Sequence, residues 1–166
     1  MGVIKLGFIS LIVFALLITG ISLFFPSHIR ISKAIDINAN RDTVVNQIKD
    51  AANWKNWYPG ADTMELLIVD GRAAGLKVDS LQGAIRITNV TDSSVTAAIV
   101  GQGLRKVTTG WKSYQSAAPN TITVQWYMDF HLRWYPWEKF SSLLFEKRYG
   151  PMMEKGLDNL KKMMER

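Results

Sequence analysis

Few side chains in this chain can do covalent chemistry. The 166 residues include no cysteine and only two histidines, His28 and His131. A zinc site or a thiol nucleophile therefore has almost no ligands to draw on, and no metal and no cofactor is expected. Asp129 and His131 stand two apart, which on one strand face puts them roughly 7 Å from each other, within range of an acid/base pair. They share that face with Gln125 and Tyr127, opposite an apolar one, and solvent exposure is the simpler account of all four. Glu65, Asp79 and Arg86 fall in strand-like stretches, where each could turn inward as an isolated polar group. Gly101-Gln102-Gly103 lacks the helix and the spacing of a nucleotide fingerprint and reads as a turn between strands. Neither a serine elbow nor a histidine-glutamate zinc motif is present.

What the chain holds in quantity is apolar and aromatic surface: 48% hydrophobic residues, six tryptophans and seven methionines. That supply can build a core without disulfide or metal staples. Methionine also suits surfaces that adapt to varied apolar shapes. The net charge of +6 comes from basic residues interspersed with acids. Such mixing describes a solvated surface with a mild pull towards anionic lipid, and no nucleic-acid partner is expected.

The first element that must position these groups is a run of twenty uncharged residues, Leu6 to Phe25. At about 1.5 Å of rise per residue it spans roughly 30 Å as a helix, the thickness of a bilayer's hydrocarbon core. Ser10, Thr19 and Ser22 interrupt the run, and their hydroxyls can bond back to helix carbonyls. A signal peptide has a shorter apolar stretch, about 7 to 15 residues, and ends in small residues, whereas this run exits through Leu23-Phe24-Phe25-Pro26-Ser27. We therefore expect residues 1–29 to be an uncleaved transmembrane anchor with a short linker, making a single-pass protein of the cell (inner) membrane. The positive charges flanking the run, Lys5 and the amino terminus against Arg30 and Lys33, are nearly balanced and leave the side of the domain open. The difficulty of translocating the charged tail tilts the balance towards an extracytoplasmic domain.

Residues 30–166 are enough for one domain. Ile31, Ile35 and Ile37 alternate with Arg30, Ser32, Ala34 and Asp36 as in a half-buried strand, and Lys33, which breaks the pattern, indicates a sheet edge. Asn40 is placed to cap a helix from Arg41 to about Lys49 with Val44, Val45 and Ile48 on its apolar stripe. A short helix or turn through Asn53–Gly60 ends at Pro59-Gly60. Strand signals follow at 63–69, 73–79, 83–90, 95–100, 106–115 and 121–132, separated by turns, as in an antiparallel meander. In the last, Ile122, Val124, Trp126, Met128, Phe130 and Leu132 form one wholly apolar face that something must cover. The cover is the C-terminal segment, where the spacing predicts a short helix to about Lys147, a break at Gly150, and a longer helix from Pro151 carrying Met152, Met153, Leu157, Leu160 and Met164.

Several of these stretches together resemble a known family. Ile35-Asp36-Ile37-Asn38-Ala39 running into a helix, Asn53-Trp54-x-x-Trp57-x-Pro59, Gly150-Pro151, and Gly156-Leu157-x-x-Leu160-Lys161 are similar to the START-like (SRPBCC, polyketide cyclase/dehydrase-like) superfamily. The stretch from Trp126 to Leu160 resembles its membrane-anchored bacterial members. The resemblance implies an α+β helix-grip fold, an antiparallel sheet wrapped around the long C-terminal helix with an apolar cavity between them. Many members carry a proline after the alanine and an aromatic in the first helix. Asn40 and Val45 stand there in this chain, which implies a wider cavity near Val45.

In that fold Trp126, Met128 and Phe130 would line the concave face, joined by Trp111 from the neighbouring strand and by Leu157, Leu160 and Met164 from the helix. An apolar pocket of this kind suits a hydrophobic small molecule. The leading expectation is a membrane-anchored domain that binds a lipid, an isoprenoid or a polyketide-like compound without covalent chemistry. The alternatives are a polyketide cyclase or dehydrase, which needs polar groups converging in the cavity, and an envelope interaction module. A second cluster, Arg133-Trp134-Tyr135-Pro136-Trp137-Glu138-Lys139, mixes amphipathic aromatics with cations as membrane interfaces do, although a structural turn is the simpler account.

Overall fold

The computed structural model describes residues 2–78, 83–101, 107–116 and 118–166. Asp79, Gln102, Gly103 and Lys106 lie outside the described residues. The apolar run forms helix α1 (Gly2–Ser22), which is long and apolar enough to cross a membrane, a property it shares with signal sequences. Its hydroxyls turn back on the helix, with Thr19 Oγ1 donating to the Ala15 carbonyl at 2.8 Å and Ser22 Oγ to the Thr19 carbonyl at 2.7 Å.

Among the described residues seven strands follow in one antiparallel sheet: β1 (His28–Ile37), β2 (Leu66–Val69), β3 (Arg72–Val78), β4 (Gly83–Val90), β5 (Ser94–Gly101), β6 (Val107–Gln115) and β7 (Ile122–His131). Their order, β1-β7-β6-β5-β4-β3-β2, is a meander from β2 to β7 with β1 returning to the edge beside β7. Between β1 and β2 runs helix α2 (Arg41–Lys49), where the Asn40 side chain accepts from the Asp42 amide as an N-cap should, and Val44, Val45 and Ile48 are buried. Two short 3₁₀ turns, Ala51–Asn56 and Ala61–Thr63, flank Pro59-Gly60, and Gly60 supplies the left-handed conformation (φ 81°) that leads into the second. The second turn occupies what the strand pattern assigned to Thr63, so β2 starts three residues later than expected.

The C-terminal segment departs from its expected form. Helix α3 (Pro136–Ser141) passes through a 3₁₀ turn at Ser142–Leu144 into helix α4 (Phe145–Met164), which continues through Gly150 and Pro151 without a break. Pro151 forfeits one helical bond on an exposed face, while Gly150 beside it is buried against the edge strand. A Cβ on Gly150 would lie 3.2 Å from Lys33 Cε, so tertiary packing across the proline keeps the helix intact. Lys33 explains its own anomaly there. It sits on the covered face of β1, and its ammonium reaches Glu146 at 2.6 Å and Glu154 at 2.8 Å, one turn to either side of Gly150 on α4.

Helix α4 lies on β1 and β7, and the inner faces of the sheet, α2 and α4 share one apolar core. The register sets Val78, Gly83, Gly101, Val107, His131 and His28 at one end of the sheet, the end from which α1 departs.

Candidate functional site

Trp111 of β6 and Trp126 of β7 are direct cross-strand partners, so both indoles project onto the covered face, with ring centroids 5.3 Å apart. The 3₁₀ turn after α2 adds Trp54, Trp57 and Tyr58 to the same stack, Trp54 at 5.0 Å and Trp57 at 5.7 Å from Trp111, and Tyr58 at 5.2 Å from Trp126. Buried indoles normally pair their N–H groups. Trp54 Nε1 donates to the Ile48 carbonyl, Trp57 Nε1 to the Gln47 carbonyl, and Trp126 Nε1 to Thr109 Oγ1 at 2.8 Å. Trp111 Nε1, equally buried, has no partner among the described residues. Trp111 also borders a void of about 10 Å³ shared with Val45, Ile48, Val95 and Ser113. The space expected to widen near Val45 is thus nearly filled.

The structure gathers Trp111, Trp126, Met128, Phe130, Leu157 and Leu160 into one buried cluster, with Met164 half-buried at its margin. Phe130 stacks near Phe145 and Tyr149 of α4, at 4.7 Å and 5.0 Å. At Gly156 the helix touches the Trp126 ring directly. Trp54, Trp57 and Tyr58 belong to this cluster as much as Trp111 does. Their signal in the sequence was the i,i+3 tryptophan spacing on one tight turn. Burial pushes the Tyr58 phenol well above the ordinary tyrosine range.

The polar candidates lie elsewhere. Glu65 pairs with Lys77 at the surface at 3.0 Å, and Arg86 is exposed. Asp129 and Tyr127, expected in solvent, are buried instead. On that outer face Arg30 of β1 reaches across, placing its Nε and Nη2 each 2.7 Å from an Asp129 oxygen and its guanidinium 4.6 Å from the Tyr127 ring centroid. These forked hydrogen bonds hold the Asp129 carboxyl below the usual carboxylate range against the opposing effect of burial. A carboxylate so engaged serves as a counter-charge rather than as a proton carrier. His28 and His131 stack beside it at 4.7 Å, with His28 Nε2 3.5 Å from Asp129.

An antiparallel sheet with a long C-terminal helix lying against its apolar face defines a START-like helix-grip domain. Residues 28–165 match the family described as polyketide cyclase/dehydrase and lipid transport, and the chain belongs to that family. Among solved structures, a START superfamily protein from Mycobacterium smegmatis is similar (TM-score 0.60, 16% identity, covering 82% of this chain and 97% of that one). So is the Zhui aromatase/cyclase from Streptomyces sp. R1128 (TM-score 0.59, 13% identity, covering 84% of this chain and 94% of that one). A Nitrosospira multiformis protein gives a TM-score of 0.62 at 9% identity, covering 82% and 96% of the two chains. These likenesses concern the fold. No protein of curated function matches this chain in sequence.

Proposed function

We propose that this protein is a membrane-tethered START-like domain that takes a hydrophobic small molecule, a lipid, isoprenoid or polyketide-like compound, between its sheet and α4 without covalent chemistry. The seven residues Trp111, Trp126, Met128, Phe130, Leu157, Leu160 and Met164 would form the contact surface, and α1 would be the single span that holds the domain at the inner membrane. The observation that carries the reading is Trp111. It is a buried indole amid apolar side chains whose N–H has no partner among the described residues, so it can serve an acceptor oxygen on an otherwise apolar ligand. The aromatic stack is closed in this structure, and loading requires the rings around Trp111 to part. A family described in part by lipid transport supports an apolar cargo. A cyclase would need polar side chains inside the grip, and Glu65 and Arg86 lie outside it.

The test is photo-crosslinking of the full chain in membranes that contain a phospholipid with a diazirine on its acyl chain. Adducts on the β6 and β7 peptides bearing Trp111, Met128 or Phe130 support the proposal. Adducts confined to α1 and α3 overturn it.

A further inference from the structure

Six tryptophans divide into two populations. Trp54, Trp57, Trp111 and Trp126 are interior, while Trp134 and Trp137 are 61% and 66% exposed. The exposed pair flanks the start of α3, and Leu143 and Leu144 are exposed at its end. Phe24, at the exit of α1, is also exposed. Exposed apolar side chains gathered around α3 and the exit of α1 call for a covering partner. We propose that residues 134–144 lie in the headgroup layer of the same bilayer that α1 crosses and hold the α1 end of the sheet against lipid. The inference rests on α1 being a membrane span, as proposed above.

Lys139 and Phe140 of α3, together with Leu132 just after β7, hold this region to the exit of α1. Lys139 is only 2% exposed, and its ammonium turns inward to donate to the Phe25 carbonyl at 3.1 Å and to Ser27 Oγ at 2.7 Å. The Leu132 amide donates to the Ser27 carbonyl at 2.7 Å. The Phe25 and Phe140 rings meet edge to face at 5.4 Å. A cation that could lie in solvent is instead spent on the Phe25 carbonyl and the Ser27 hydroxyl just past α1, which holds α3 to where the chain leaves the membrane. The exposed aromatics are then at headgroup depth by construction, since Phe24 and Trp137 belong to segments joined by those bonds. Tryptophan at that depth buries an apolar ring while keeping its N–H wet. Arg133, Lys147 and Arg148 are exposed around the patch and match anionic headgroups. Continuity with α1 is what selects lipid over a protein partner.

The test uses the full chain in vesicles of phosphatidylcholine and phosphatidylglycerol whose acyl chains are brominated near the headgroup, read by tryptophan quenching. Bromine quenches on contact, so Trp134 and Trp137 should account for most of the quenching. The double variant W134F/W137F should lose most of the quenching, a drop of several fold, while its near-ultraviolet dichroism keeps the signature of the interior stack. Residual quenching of the interior rings in that variant would report lipid in the grip and leaves the expected drop measurable. If the wild-type chain stays in the vesicles through an alkaline carbonate wash and the double variant is quenched as strongly as it is, residues 134–144 do not sit in lipid and the inference is overturned alone. If the wash strips the wild-type chain from the vesicles, the span reading falls, and this inference falls with it.

Discussion

Gly156 of α4 and Trp126 of β7 meet with no side chain between them: a Cβ on Gly156 would come within 2.5 Å of Trp126 Cζ3 and 2.9 Å of Pro59 Cδ. The helix seats on the sheet through its backbone at this turn, and the indole fills the volume a larger residue would need. Gly156→Ala gains about 1 kcal/mol in helix propensity but forces the ring or the helix outward, and overpacking of this kind costs about 1–3 kcal/mol. With contacts this close the upper end of that cost applies, and we expect a net loss of about 2 kcal/mol, the overpacking cost less the propensity gain. Near-ultraviolet dichroism of the full chain during thermal unfolding would show it as a lower midpoint. An unchanged midpoint would mean that α4 rides higher on the sheet than described.

The fork from Arg30 to Asp129 gives a pH dependence of definite sign. Its hydrogen bonds depress the Asp129 carboxyl in the folded state. The stabilisation is therefore complete above the unfolded carboxyl's value near 3.9 and is lost as pH falls through the lower folded value. Asp129→Asn keeps one acceptor and removes the charge. Because Arg30 is half exposed, the expected loss at neutral pH is about 1–2 kcal/mol, the low end for charged hydrogen bonds. The gap in urea midpoint between the two proteins should be narrower at pH 3 than at pH 7, and an equal gap at both would refute the assignment.

Much of this architecture is legible in the residues themselves. The five alternating apolar positions of β7, the Asn40 cap and the apolar stripe of α2 all say locally what the fold does globally. The rest depends on neighbours that spacing cannot name. Lys33 reads as an interruption until α4 crosses β1 and brings Glu146 and Glu154 to it. Alternation puts Asp129 and Tyr127 on the outer face but says nothing of Arg30 folding over them from the adjoining strand. Pro151 signals a break that burial of Gly150 against Lys33 overrides. In the grip, the apolar β7 residues follow from their period. The tryptophans of the 3₁₀ turn join them only through the return of the chain beneath α4.

Thr109 is the one hydroxyl whose loss should be felt throughout the aromatic stack. Fully buried, it accepts from Trp126 Nε1 at 2.8 Å and donates to the Tyr127 carbonyl at 3.2 Å. Thr109→Val keeps the shape and leaves an indole N–H and a carbonyl without their partner, which costs about 1–3 kcal/mol. Thr109→Ser retains the hydroxyl and isolates the methyl contribution. Chemical denaturation of the three proteins should rank valine as the least stable, and a valine variant as stable as wild type would mean that Trp126 finds another acceptor.

Tyr58 supplies the alkaline counterpart of Asp129. Its phenol is raised by burial between Trp54, Trp57 and Trp126, so the folded state keeps the proton after the unfolded chain has released it near pH 10. The unfolded state then binds fewer protons than the native one, and stability falls as pH climbs above that value. One such group removes about 1.4 kcal/mol by pH 11. Tyr58→Phe keeps the ring stacked on Trp54 and has no proton to lose. Urea unfolding of the full chain at pH 9 and pH 11 should therefore show the wild type losing about that much more than the variant between the two conditions. Parallel losses would place the ionising phenol in solvent and empty the stack of its fifth ring.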